Sequence, residues 1–201
     1  MCWNASVSLN TYLFSLFATM LGLGNGVISL KTFLFWQSFI SMQLVEAMIW
    51  SHTFSNLYLS QIAFVLILLQ PALSIINFDS KHKQLVSPCL ALYALFVAVL
   101  LTVLHPWNTI DFSSIKSPSN GHLAWNWLNF PLYIIAIWLA FFMVRYIINR
   151  DLTGVWVFAI VCLTYILYHK TKTWGSLWCW IANCAAFWLV FMCIFKTVCW
   201  T

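Results

Sequence analysis

The sequence predicts an all-α integral membrane protein, a bundle of seven transmembrane helices. Three observations carry that prediction. Of 201 residues, 63% are apolar and only 6% charged, where an ordinary soluble domain is about one-quarter charged. Nine basic and four acidic side chains cannot cover a globular surface, so a soluble enzyme is excluded. An aromatic content of 18% excludes a disordered chain. Finally, the apolar residues gather into runs of the length that crosses a hydrocarbon core, about 20 residues. The runs are apolar all round rather than alternating, so they read as helices and not as barrel strands. The net charge of +5 is spread singly and in pairs along the chain. It forms no basic stripe, so the expected partner is the lipid bilayer and not nucleic acid.

Seven runs follow in order: 10–30, 33–51, 57–77, 86–105, 127–148, 152–169 and 174–195. Together they make residues 1–201 a single polytopic domain with short loops. The first is preceded by no basic residue and followed by Lys31, which is not the pattern of a cleavable signal peptide. Its Gly22 and Gly26 form a GxxxG step, expected to allow close helix packing. The second carries Glu46, the one acid well inside a run, with Gln43 and Trp50 on the same helical face. Between the fourth and fifth lies the longest loop, 106–126, with Pro106, Pro118 and Gly121, a candidate lid. The seventh opens with Ser176, Cys179 and Asn183 at the spacing of Gln43, Glu46 and Trp50. It has Lys196 only at its end, so a retinal Schiff base is excluded.

Alternating spans give the bundle an end A, holding the N-terminus, and an end B, holding the C-terminus. End A carries Lys116, Lys170 and Lys172; end B carries Lys31, Lys81, Lys83, Arg145, Arg150 and Lys196. The positive-inside rule then puts end B in the cytoplasm and the N-terminus outside. Tryptophans favour end A, as an interfacial belt or as the wall of an aromatic vestibule. Four of the five histidines, His52, His105, His122 and His169, fall there as well. Of seven cysteines, Cys89, Cys162, Cys184 and Cys193 lie within runs, where cysteine acts as a small apolar residue. No CxxC or Cys/His zinc spacing occurs.

Three short motifs carry a resemblance. They are Met1-Cys2-Trp3-Asn4-Ala5 with Ser8, Gln43-Leu44-Val45-Glu46-Ala47-Met48-Ile49-Trp50, and Gly175-Ser176-Leu177-Trp178-Cys179-Trp180. In order and spacing they are similar to the signatures of a family of small, functionally uncharacterised seven-span membrane proteins found mainly in bacteria. Those proteins open Met-Cys-(Phe/Trp)-Ser-Ala, carry Gln-x-x-Glu-x-x-x-Trp in the second span and begin the last with Ser-x-Trp-Cys-Phe. Gly121-His122-Leu123 looks similar too, while Asn4 and Trp180 depart from the usual Ser and Phe. The resemblance implies a fold and a residue set, and no activity.

The functional expectation is a polar site in the end-A half of the bundle. Its members are Cys2 as thiol ligand or nucleophile, Glu46 as carboxylate ligand or proton acceptor, and His122 as ligand or acid–base partner. Ser176, Trp178, Cys179 and Trp50 complete the wall, with Gln43 and Asn183 as supporting hydrogen-bonders. Such a set suits a divalent transition metal or proton transfer, with a small molecule as ligand. Two alternatives stand beside it. One is a small-solute or proton transporter that uses Glu46 as its intramembrane ionisable group, with Asn25, Gln70 and Asn77 continuing the path. The other is a structural or assembly protein in which Glu46 only ties helices together.

Overall fold

The computed structural model describes residues 4–117 and 119–199, with the side chains of 176–181 and 197–199 outside that description. Seven α-helices run through it: α1 Ala5–Gly24, α2 Leu30–Trp50, α3 Asn56–Ile76, α4 Val86–Val99, α5 Leu132–Asn149, α6 Thr153–Tyr168 and α7 Trp178–Cys199. Among the described residues four stretches are long and apolar enough to cross a membrane: α1, α3, α5 and the helical segment Ser80–Leu104 built around α4. The outer surface suits lipid better than water, for large apolar side chains such as Leu152 (81% exposed) and Trp156 (74%) stand out from it.

Helix α1 starts five residues before the expected 10–30 run. The side chain of Asn4 accepts from the Val7 N–H at 2.8 Å and so caps the first turn. The helix also ends early, at Gly24, and the GxxxG reading holds for only one of its glycines. Gly22 lies inside α1, where an added Cβ would sit 3.4 Å from Ile28 and 3.7 Å from Leu189 of α7. Gly26 lies beyond the helix, in the following turn, at φ +63°, a conformation that favours glycine.

The helices pack around α3. Helix α2 lies between α1 and α3; α1 also packs on α7, while α3 carries α5 and α4 on its other sides. Helix α6 touches α5 over a short stretch and also meets the turn Trp174–Leu177, and Gly154 permits the α5 contact, since an added Cβ would strike the Tyr146 side chain. The main core joins Phe35, Phe39 and Met42 of α2, Phe64 and Ile67 of α3, and Trp138 and Phe142 of α5. A smaller core of Ala18, Ala186 and Leu189 joins α1 to α7. A third, of Ile75, Phe78 and Tyr93, holds α4.

Pro71 lies inside α3 and brings no N–H to the carbonyl of Ile67 one turn earlier. In an apolar bundle that carbonyl needs another donor. Trp138 of α5 supplies it, with Nε1–H donating to Ile67 O at 3.2 Å. The neighbouring Leu68 carbonyl accepts from Tyr93 Oη of α4 at 2.6 Å, and Ser74 Oγ donates to Phe142 O at 2.8 Å. The proline is thus the place where three helices are stitched together.

The 106–126 loop is a packed cap rather than an open lid. It contains a two-stranded antiparallel hairpin, β1 Ser114–Lys116 and β2 Leu123–Trp125, that all-helical patterning did not anticipate. Leu123, Trp125 and Trp127 are buried in the main core. These end-A tryptophans form neither a lipid-facing belt nor an open vestibule; their rings fill the space beneath the hairpin.

Candidate functional site

The end-A candidate begins on α2. Gln43 and Glu46 follow one another by a single turn, and both are 1% exposed. Glu46 lies four residues before the end of the helix, about 6 Å of rise. It is the only carboxylate, and His122 the only imidazole, among the buried described residues. Both belong to end A. Trp50 ends α2 half-buried, and its indole Nε1 meets no acceptor among the described residues.

The cap fixes the backbone of His122. Its N–H donates to Asn120 Oδ1 at 3.1 Å, and its carbonyl accepts from Ser117 N at 2.7 Å. Asn120 in turn donates to Thr173 Oγ1 at 2.8 Å, on the segment that leads into α7. On the opposite flank, Asn56 of α3 donates to Ser114 O at 2.7 Å and accepts from the hydroxyls of Ser60 and Ser114. The Trp125 N–H donates to Lys172 O at 3.1 Å, closing the hairpin against the α6–α7 connection. His122 is therefore carried on a braced element.

The other expected members distribute as follows. Cys2 lies outside the described residues. Ser176 falls in the helical turn Trp174–Leu177, and Trp178 and Cys179 open α7, with their side chains outside the description. Asn183 is directed to α1, where its amide donates to Thr11 Oγ1 at 3.3 Å. The remaining end-A histidines do not join His122. His169 Nδ1 lies 3.0 Å from the Tyr165 carbonyl, His105 packs edge-on against Phe130, and His52 is exposed at φ 53°. Among the described residues no three His, Cys, Asp or Glu side chains gather closely enough to hold a metal ion. A ligand set here would need Cys2 beside Glu46 and His122.

Two groups escaped sequence reasoning. Ser8, Thr11, Ser15 and Thr19 form a buried polar stripe along α1. Thr19 accepts from Gln37 of α2 at 3.1 Å and Thr11 accepts from Asn183 of α7. The helical spacing of these hydroxyls was the available signal. The second group is a polar cavity of about 410 Å³ at end B, lined by Lys31, Asn77, Asp79, Arg145, Asn149 and Asp151 among others. An arginine four residues inside the end of an apolar helix was the signal there.

Of the polar residues offered as a continuing path, two are hydrogen-bonded to backbone carbonyls. Asn25 donates to Leu21 O at 2.9 Å, and Asn77 donates to Leu73 O at 2.8 Å and to Lys31 O at 3.0 Å. Both satisfy helix-end carbonyls. Gln70 is buried in α3 beside Pro71. None of the cavities described here, including the apolar ones, is lined by Gln43 or Glu46. No family model, curated protein or solved structure matches the chain, so the family resemblance rests on its motifs.

Proposed function

We propose that the chain is a seven-span membrane protein whose working site is the Gln43/Glu46 face of α2, beneath the cap that carries His122. The observation that carries this reading is that, among the described residues, the only buried carboxylate and the only buried imidazole both lie at one end of an apolar bundle. An ionisable side chain inside a membrane bundle is expensive to keep, and it is kept where it pairs, binds or transfers a proton. In this reading Glu46 is a carboxylate ligand or proton acceptor, His122 its acid–base or ligand partner, and Cys2 the thiol. A divalent transition metal is the cofactor that such a set would hold. The family resemblance supports the same residues, and the charge bias supports an outward-facing end A.

Elemental analysis of the detergent-purified full chain tests the reading. A transition metal near one equivalent in the wild type, lost in Glu46→Gln and in His122→Gln at unchanged helicity, is the expected result. Metal-free wild-type protein would remove the metal-binding form of the proposal. The structural reading is the alternative, with Glu46 buried on the packed face of α2. Under it, Glu46 serves packing alone, and Glu46→Gln is nearly neutral while Glu46→Leu lowers stability.

A further inference from the structure

At end B, remote from Glu46, the polar cavity and an apolar groove meet. The groove is about 750 Å³, within the range of about 300–1,000 Å³ typical of small-ligand sites. It runs between α5 and α6 because the two helices make only a short contact around Tyr146 and Gly154. Trp138, Met143 and Val161 form part of its floor, and Ala136 and Ala140 leave its α5 rim low. Its length along α5, 18 residues, is about 27 Å, close to the hydrocarbon thickness of about 30 Å. Asp151 lines both spaces, so the groove opens at end B onto the polar cavity.

The polar cavity holds two cations with donors to spare. Arg145 lies about 6 Å of helical rise inside the end of α5. Its guanidinium is stacked over the rings of Tyr146 and Phe35, at 5.0 and 5.5 Å, which orients the fork. Its Nε is buried and meets no acceptor among the described residues, and its nearest carboxylate oxygen, Asp151 Oδ2, is 3.9 Å away, beyond hydrogen-bond reach. Lys31 spends one hydrogen bond, at 3.3 Å, on the Ile76 carbonyl. Two acids share the lining: Asp151 Oδ2 forms the loose ion pair with Arg145, while the other carboxylate contacts are made outside the cation pair. Asp151 Oδ1 accepts from Thr153 N and Oγ1 at 3.0 and 2.7 Å, and Asp79 lies 3.8 Å from Lys81. A planar guanidinium and an ammonium with unspent N–H groups are complementary to phosphate oxygens.

We propose that this composite is a glycerophospholipid site, with an anionic phosphate between Lys31 and Arg145 and an acyl chain along the α5–α6 groove. The bilayer is the source that supplies both halves of the ligand at this depth. Tyr146 and Gly154 set the groove's end-B rim, and Arg145 reads the headgroup from the same turn of α5.

Native mass spectrometry of the detergent-purified full chain, titrated with dioleoylphosphatidylglycerol, tests this. One phospholipid should be retained at a concentration at least ten-fold lower than dioleoylglycerol, which has the same chains and no phosphate. Arg145→Gln and Lys31→Gln should each weaken retention several-fold. Ala140→Trp, which fills the groove from its exposed rim, should weaken it as well without changing the thermal midpoint of the lipid-free protein. If Arg145→Gln impairs folding, Lys31→Gln and Ala140→Trp decide. Equal retention of dioleoylglycerol would overturn headgroup recognition. Displacement of the lipid by inorganic phosphate together with an inert Ala140→Trp would show a free-phosphate site instead, and wild-type retention by the variants would show an adventitious lipid.

Discussion

Pro71 and Trp138 show how one residue dictates another on a different helix. The proline withholds the N–H that Ile67 O would accept, and the indole of Trp138 replaces it. Trp138→Phe keeps most of the ring volume and removes the donor. It should cost about 1 kcal/mol in thermal or denaturant unfolding, the usual worth of one buried hydrogen bond. Pro71→Ala restores a backbone donor to the same carbonyl. In the double variant much of that cost should therefore disappear, and a simply additive loss would show that the indole bond carries little. Glu46 permits a second comparison at this scale. If the carboxyl serves packing, Glu46→Gln keeps its hydrogen-bonding capacity and should be nearly neutral, while Glu46→Leu should cost on the order of 1–3 kcal/mol. If the carboxyl serves chemistry, Glu46→Gln abolishes bound metal while the melt is unchanged.

Among the elements, the contact of α6 with α5 is the most sensitive. Gly154 faces the Tyr146 ring so closely that any Cβ forces the helices apart. Gly154→Ala should destabilise by about 1–3 kcal/mol, as overpacking does, and Tyr146→Ala in the same chain should relieve part of it; differential scanning measurements on the four variants close the cycle. Helix positions were legible from the apolar runs, because a run of 20 apolar residues permits few other conformations in lipid. Helix edges were not. α1 begins at Ala5 because a side-chain cap at Asn4 overrides an apolar count that starts later. The hairpin was invisible because its strands are three residues each, too short for an alternating pattern to register. Trp125 and Trp127 depart from the expectation of an interfacial belt or vestibule, since the cap supplies a protein interior around these two rings, while Trp107 stays exposed.

For the whole molecule, the candidate site was legible only in part. Glu46 and Gln43 stood out because acids and amides are rare inside apolar runs, and their burial agrees with that rarity. The end-B cavity was not legible, because Lys31 and Arg145 lie far apart in sequence and served only as topological charges until α2, α3 and α5 brought them together. Asn183 shows the same limit, because depth along a helix was countable and its partner helix was not. The hydrogen bonds of Lys196 to Asn25 O and Gly26 O at one end, and of Lys172 and Asn126 at the other, divide the chain's loops into two sets. A membrane-impermeant probe should therefore distinguish them. Tags placed at the N-terminus and beside Asn120 should report one face of the membrane, and tags in the 79–83 segment and at the C-terminus the other. Protease protection of these four tags in sealed vesicles is the most direct measurement of the seven-span account. Opposite faces for the two termini, with the hairpin sharing the N-terminal face, is the result it predicts; both termini on one face would contradict it.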